Sequence, residues 1–256
     1  MKNAFFIRFF DLLKNFEITR WEVAKFYLIL IISLCLSCRD DKNVTRDSHD
    51  EYVLQIQAEA QEIAQTHNEI LRMIYENENK NKEKSSTNIL ERVYHSVREY
   101  YERFPKKKIN LDESIDFATW YFERYSISSN MELLNNDENF SSIPDRIFLE
   151  LNHILKTDSL TSNTDNLKLY VNNIMPNKKW SDQELRYVII FQTMINYSAN
   201  YWETIYSSRL KLKCSTWVII NDGIGGVLGS AFGGVGGVIL GTILSAGTNE
   251  ECEHQQ

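Results

Sequence analysis

Histidine is the side chain that most readily trades a proton near neutral pH, and five occur here: His49, His67, His95, His153 and His254. None stands in an HExxH or comparably tight metal spacing, so the sequence predicts no metal site and no catalytic residue. His67 is the one placed to do chemistry, because it falls on the apolar seam of a helical stretch. That position predicts a hydrogen-bonded core histidine, with pairing to a carboxylate from another helix as the chemical alternative. A nucleophile elbow and a P-loop lysine motif are both absent. The run Trp217-Val218-Ile219-Ile220-Asn221-Asp222-Gly223-Ile224-Gly225-Gly226 imitates a strand entering a glycine-rich phosphate turn. A dinucleotide site would need a βαβ unit and an acidic residue about 20 positions on. Only 30 residues follow Gly226, and no cofactor is expected.

Cys35 and Cys38 form a C-x-x-C, but inside an apolar run and without a second ligand pair, which excludes a redox or metal reading. The run itself, Phe26–Cys38 (FYLILIISLCLSC), holds 13 uncharged residues after Lys25. A signal-peptide core has about 7–15 apolar residues, whereas a spanning helix needs about 20. The run ends in Cys35-Leu36-Ser37-Cys38 and turns abruptly polar at Arg39-Asp40-Asp41-Lys42. In these residues the chain resembles bacterial lipoproteins, with Ser37 as the small residue before the cysteine and Cys38 as the lipid-attachment site. Cys35 stands where that class usually has leucine. The resemblance implies removal of residues 1–37, membrane lipid as a partner, and a cell-envelope address, periplasmic or surface-exposed. The acidic pair after Cys38 resembles export signals of surface lipoproteins in some Gram-negative bacteria.

All ten glycines lie between Gly223 and Gly247, a stretch without a charged side chain. Gly225, Gly229, Gly233, Gly237 and Gly241 keep an unbroken spacing of four, which forms a ridge on a helix where another backbone can approach closely. The segment resembles the glycine-zipper stretches of membrane-associated bacterial proteins, and the ridge predicts packing against membrane, another helix or a like copy. A glycine costs a helix about 1 kcal/mol relative to alanine, so ten cost on the order of 10 kcal/mol, and a lone helix in water is untenable. Cys214 and Cys252 bracket the segment. On one straight helix rising 1.5 Å per residue they would stand roughly 57 Å apart, whereas a disulfide needs Cα atoms within about 7 Å. A hairpin bending near Gly233–Gly237 would let them join, and a single spanning helix with two free thiols is the rival.

Helices must carry all of this. Val53, Ile56, Ala60, Ile63, His67, Ile70 and Ile74 recur every three or four residues, predicting a helix over 48–78 capped by Ser48 and Glu51. Residues 77–88 read as a loop. Further helices are predicted over 87–104 (Leu90, Val93, Val97, Tyr100, Tyr101 and Phe104 inward), 111–126 (capped by Asn110 and Glu113), 144–156, 164–175 and 182–211 (capped by Ser181 and Glu184). With no alternating strand before residue 214, the expected fold is all-α. It is an antiparallel helical bundle followed by a glycine-zipper helix or helical hairpin. The organisation reads as an export segment (1–37), a tether (38–47), a helical domain (48–213) and the zipper segment with its tail (214–256).

Net charge is −7, and −9 without residues 1–37, leaving 23 basic and 32 acidic residues. That balance disfavours nucleic acid, and the basic run Lys106-Lys107-Lys108 after Pro105 reads as a solvated loop. The expected function is a membrane-anchored cell-envelope lipoprotein that binds or scaffolds an unspecified protein or glycan, self-associating through the zipper. A membrane-active toxin or antibacterial effector inserting through the zipper is the alternative, and an envelope hydrolase is the third reading.

Overall fold

A computed structural model describes residues 41–81, 88–105, 110–125, 131–206 and 212–254. The apolar run and the lipobox-like residues up to Cys38 lie outside them. The chain divides into two units, residues 1–52 and 53–256. Among the described residues the secondary structure is helical: α1 (Asp41–Asn81), α2 (Ile89–Arg103), α3 (Leu111–Tyr125), α4 (Met131–Asn135), α5 (Asp145–Lys156), α6 (Asp158–Thr161), α7 (Thr164–Leu169), α8 (Asp182–Tyr206), α9 (Leu212–Ser230) and α10 (Gly234–His254). A 3-10 turn, Glu138–Phe140, precedes α5, and a π-helical turn, Tyr170–Ile174, extends α7. The all-α expectation holds. The strand-like run Trp217–Gly226 is helix, lying within α9, so no phosphate turn exists there.

The seam of α1 is where periodicity places it. Ile56, Ala60, Ile63, His67, Ile70 and Ile74 are buried and Val53 is half-buried. The helix begins at Asp41, however, so Ser48 and Glu51 lie inside it rather than at a cap, and it continues to Asn81 into the predicted loop. Asn88 caps α2 by accepting from the Leu90 amide at 3.2 Å. Phe104 is 47% exposed, against expectation. The backbone leaves the helix at that residue (φ −124°, ψ 64°), so its side chain no longer follows the seam. The Asn110–Glu113 cap pair does not form either. Asn110 adopts a left-handed φ of 58°, and its carbonyl accepts from the Ser114 amide at 3.0 Å. Ser181 and Glu184 do form the predicted box: the Ser181 amide donates to Glu184 Oε2 at 2.7 Å, and the Glu184 amide donates to Ser181 Oγ at 3.3 Å.

The glycine-rich segment is a hairpin, α9–turn–α10, and it is the core of the second unit. From Val218 to Ser230 and from Gly236 to Asn249 every residue is buried. Helices apolar on all faces must be covered on all sides. Here α9 packs on α6, α7 and α8, while α10 packs on α2 and α3. Phe232 at the turn stacks on Phe117 with centroids 3.6 Å apart, and Phe140 meets both rings edge-on. Gly233 closes the turn with φ 91°, a left-handed conformation that glycine adopts without strain. Among the described residues no helix is long and apolar enough to cross a membrane.

Candidate functional site

Glycine placement sets the geometry inside the hairpin. A Cβ on Gly225 would lie 2.5 Å from Gly241 Cα, and one on Gly237 would lie 3.0 Å from the Gly226 carbonyl oxygen. A Cβ on Gly229 would collide with the Gly236 carbonyl, and the reverse clash holds for Gly236. The ridge at Gly225, Gly229, Gly237 and Gly241 therefore brings the two arms into backbone contact, while Gly233 supplies the turn. A second set lies outside the spacing of four. Gly223 and Gly226 face α8, where a Cβ would stand 2.7 Å from the Phe191 ring and 2.7 Å from Met194 Cγ respectively. Periodicity alone did not distinguish these two faces, since α8 had no assigned position before folding.

Close approach brings Asp222 of α9 against His67 of α1. His67 Nε2 lies 3.2 Å from Asp222 Oδ1, and both side chains are fully buried. Asp222 Oδ2 accepts from the indole N–H of Trp202 at 2.9 Å. His67 Nδ1 lies 3.0 Å from Asn68 Oδ1, and the Asn68 amide donates to the Tyr197 carbonyl at 3.1 Å. Gly241 makes room for the ring: a Cβ there would be 3.2 Å from His67 Cδ2. The pairing of His67 with a carboxylate from another helix thus occurs. Asp222 was legible only as part of a strand-like run, and nothing in its spacing pointed to His67, 155 positions away. The arrangement has two limbs of an acid–base relay, but both imidazole nitrogens are occupied by side-chain oxygens. Neither remains to take a proton from a substrate, and the pair has no access to solvent. Its work is to tie three helices together.

A more accessible feature sits at the hairpin turn. There α1, α2, the start of α3 and the turn enclose a cavity of about 420 Å³, within the range of small-molecule sites. Ile63, Phe232, Val235 and Val238 give it apolar walls, and Glu59, Glu62, Thr66 and Tyr101 bring polar groups. Glu59 is bound by Arg186 at 2.6 Å. Burial, with smaller contributions from Tyr100 and the Glu62 charge, raises the pKa of Tyr101, so its phenol stays a neutral donor.

A third polar cluster lies beside the π-helical turn. Lys178 Nζ donates to both Glu150 oxygens, at 2.7 and 2.6 Å, and to the Tyr170 hydroxyl at 2.8 Å, while Tyr170 donates to Glu150 at 2.5 Å. Each member satisfies another, as a buried polar network must. Among the described residues no group of His, Cys, Asp or Glu is arranged to hold a metal ion.

Of the cysteines, Cys252 is disulfide-bonded. The side chain of Cys214, its expected partner, lies outside the described residues, as does Cys38. No family model, no curated protein and no solved structure matches the chain.

Proposed function

We propose that the protein is a membrane-anchored cell-envelope lipoprotein whose helical domain serves as a binding or scaffolding module rather than a catalyst. The observation that carries this reading is the burial of the zipper. Its ridge is consumed by arm-to-arm contact inside the second unit, so the hairpin acts as a core on which the outer helices are mounted. Self-association through the same ridge would require the arms to part. The His67–Asp222 pair is closed to substrate, which removes the chemistry a hydrolase would draw on there. The anchor comes from the resemblance of Ser37-Cys38 and the preceding apolar run to bacterial lipoproteins. Metabolic labelling with palmitate tests it: the native chain should incorporate label and Cys38→Ala should not. Equal incorporation by the two would remove Cys38 as the attachment point.

A second reading, a membrane-inserting effector, is favoured by one feature: both hairpin arms bury their surface on all sides, a composition compatible with lipid as well as with protein. Against it stands the buried Asp222, whose transfer to a bilayer centre costs about 2.5–3.5 kcal/mol or more. Dye-loaded anionic vesicles separate the two. The binding module leaves them intact, whereas the effector releases dye and loses that activity with Gly229→Leu.

A further inference from the structure

The buried pair between α1 and α9 makes a demand that a neutral imidazole does not meet. A neutral ring carries one N–H and one lone pair, whereas the imidazolium carries two N–H groups and no lone pair. Both nitrogens of His67 face side-chain oxygens: Nε2 lies 3.2 Å from Asp222 Oδ1, and Nδ1 lies 3.0 Å from Asn68 Oδ1. A separate bond fixes the orientation of Asn68. Its amide nitrogen donates to the Tyr197 carbonyl at 3.1 Å, so its oxygen, which can only accept, is the atom turned to the ring. Asp222 accepts from Trp202 at its other oxygen, as a carboxylate does. His67 and Asp222 have no exposed surface, so solvent supplies no replacement donor to either.

We propose that the folded core holds His67 as the imidazolium, one N–H donated to Asp222 and the other to Asn68, so that the joining of α9 to α1 depends on a proton. The surroundings single out Asp222 as the charge that meets the ring. From α9 the facing group is Asp222 itself, and from α10 it is Gly241. From α8 come the Tyr197 carbonyl, behind Asn68, and Trp202, behind Asp222, with the Tyr75 and Tyr201 rings edge-on to the indole. Histidine in an unfolded chain releases its proton around pH 6.5. Above that value a chain that holds the proton when folded binds one more proton folded than unfolded. Its stability is then complete below about pH 6.5 and falls as pH rises, by about tenfold in the unfolding equilibrium constant per pH unit. Loss of the proton turns a lone pair on an oxygen, at Asn68 or at Asp222, and α1 loses one of its ties. This proposal goes beyond the binding-module reading and stands independently of it and of the anchor.

Nitrogen-15 NMR of the full chain, labelled at histidine and held at about pH 8, tests the assignment directly, because each protonated ring nitrogen shows its own one-bond N–H coupling. The His67 ring is identified by the proximity of its Cδ2 to Gly241, and it should show two such couplings. Urea melts between about pH 7 and pH 8.5 give the second readout, a fall in stability with the slope of about one proton. Asn68 is only half-buried, so Asn68→Ala should keep the fold. With the second oxygen gone, that variant should retain one ring proton at about pH 8 and lose much of the slope. A single ring proton on His67 in the native chain, an Asn68→Ala chain that keeps both, or a slope that the substitution leaves unchanged would each overturn the proposal. Palmitate incorporation at Cys38 would be the same in every case.

Discussion

Asp222 is the charge on which the interior turns, since it receives both His67 and Trp202 in a site without water access. Breaking a buried pair by removing one partner commonly costs about 3–5 kcal/mol, because the other polar group is left uncompensated. Asp222→Ala should therefore lower the free energy of unfolding measured in urea by that much, and His67→Ala by a comparable amount. The double variant should lose clearly less than the sum, which a denaturation cycle at neutral pH would reveal. Additive losses would mean that the two side chains do not depend on each other. The seam position of His67 was plain in the sequence. Its partner was not, because a contact between residues 155 positions apart exists only once α9 has been laid across α1.

At the scale of elements, the hairpin and the caps behave differently. Gly229 faces backbone, which cannot move aside, so Gly229→Ala should destabilise the chain toward the upper end of the roughly 1–3 kcal/mol typical of overpacking. Gly223 faces the Phe191 ring and the tip of Ile195, side chains that can shift a little. Alanine also recovers about 1 kcal/mol of helix propensity there. Gly223→Ala should stay within about 1 kcal/mol of the native chain, and thermal melts of the two variants would show the contrast. The cap of α8 responds to pH. The Ser181 amide, together with Ser181 Oγ and Arg146, holds the Glu184 carboxyl below its ordinary range. A carboxyl whose folded pKa is depressed contributes stability above its unfolded pKa and loses it as pH falls through the folded one. Acidification through and below the carboxylate range should thus weaken the start of α8, and Glu184→Gln should flatten that part of the stability profile. Ser181→Ala should cost about 1 kcal/mol at neutral pH. This box was readable because both partners lie within four residues of each other. The failed pair at Asn110 was not, since the left-handed backbone there is imposed by the path of the chain into α3.

For the whole molecule, the open end of the hairpin is the place to intervene. Cys252 is disulfide-bonded near the end of α10, and Cys214 lies near the start of α9. A Cys214–Cys252 bond would close a loop of such length that its loss costs about 4 kcal/mol by chain entropy. Cys252→Ala should lower the thermal midpoint accordingly and expose the hairpin to protease. Peptide mapping without reductant should recover the two cysteines in one linked fragment, and free thiols at both positions would rule out that pairing.

Composition and periodicity determined the helical class, the seam of α1, the turn-forming role of glycine near residue 233, and the need of the C-terminal segment for close partners. These are local properties, set by spacings of three and four and by the cost of glycine in an unsupported helix. What covers the zipper was decided only in three dimensions. A ridge of small residues fits lipid-embedded helices, a second copy or the other arm of a hairpin equally well, because each offers a backbone at close range. The fold chose the other arm, whose glycines meet those of the first across separations of 7 (Gly229–Gly236) to 16 residues (Gly225–Gly241), and enclosed it in the amphipathic helices that precede it. The same enclosure created the His67–Asp222 pair and the cavity beside Tyr101, neither of which has any signature along the chain.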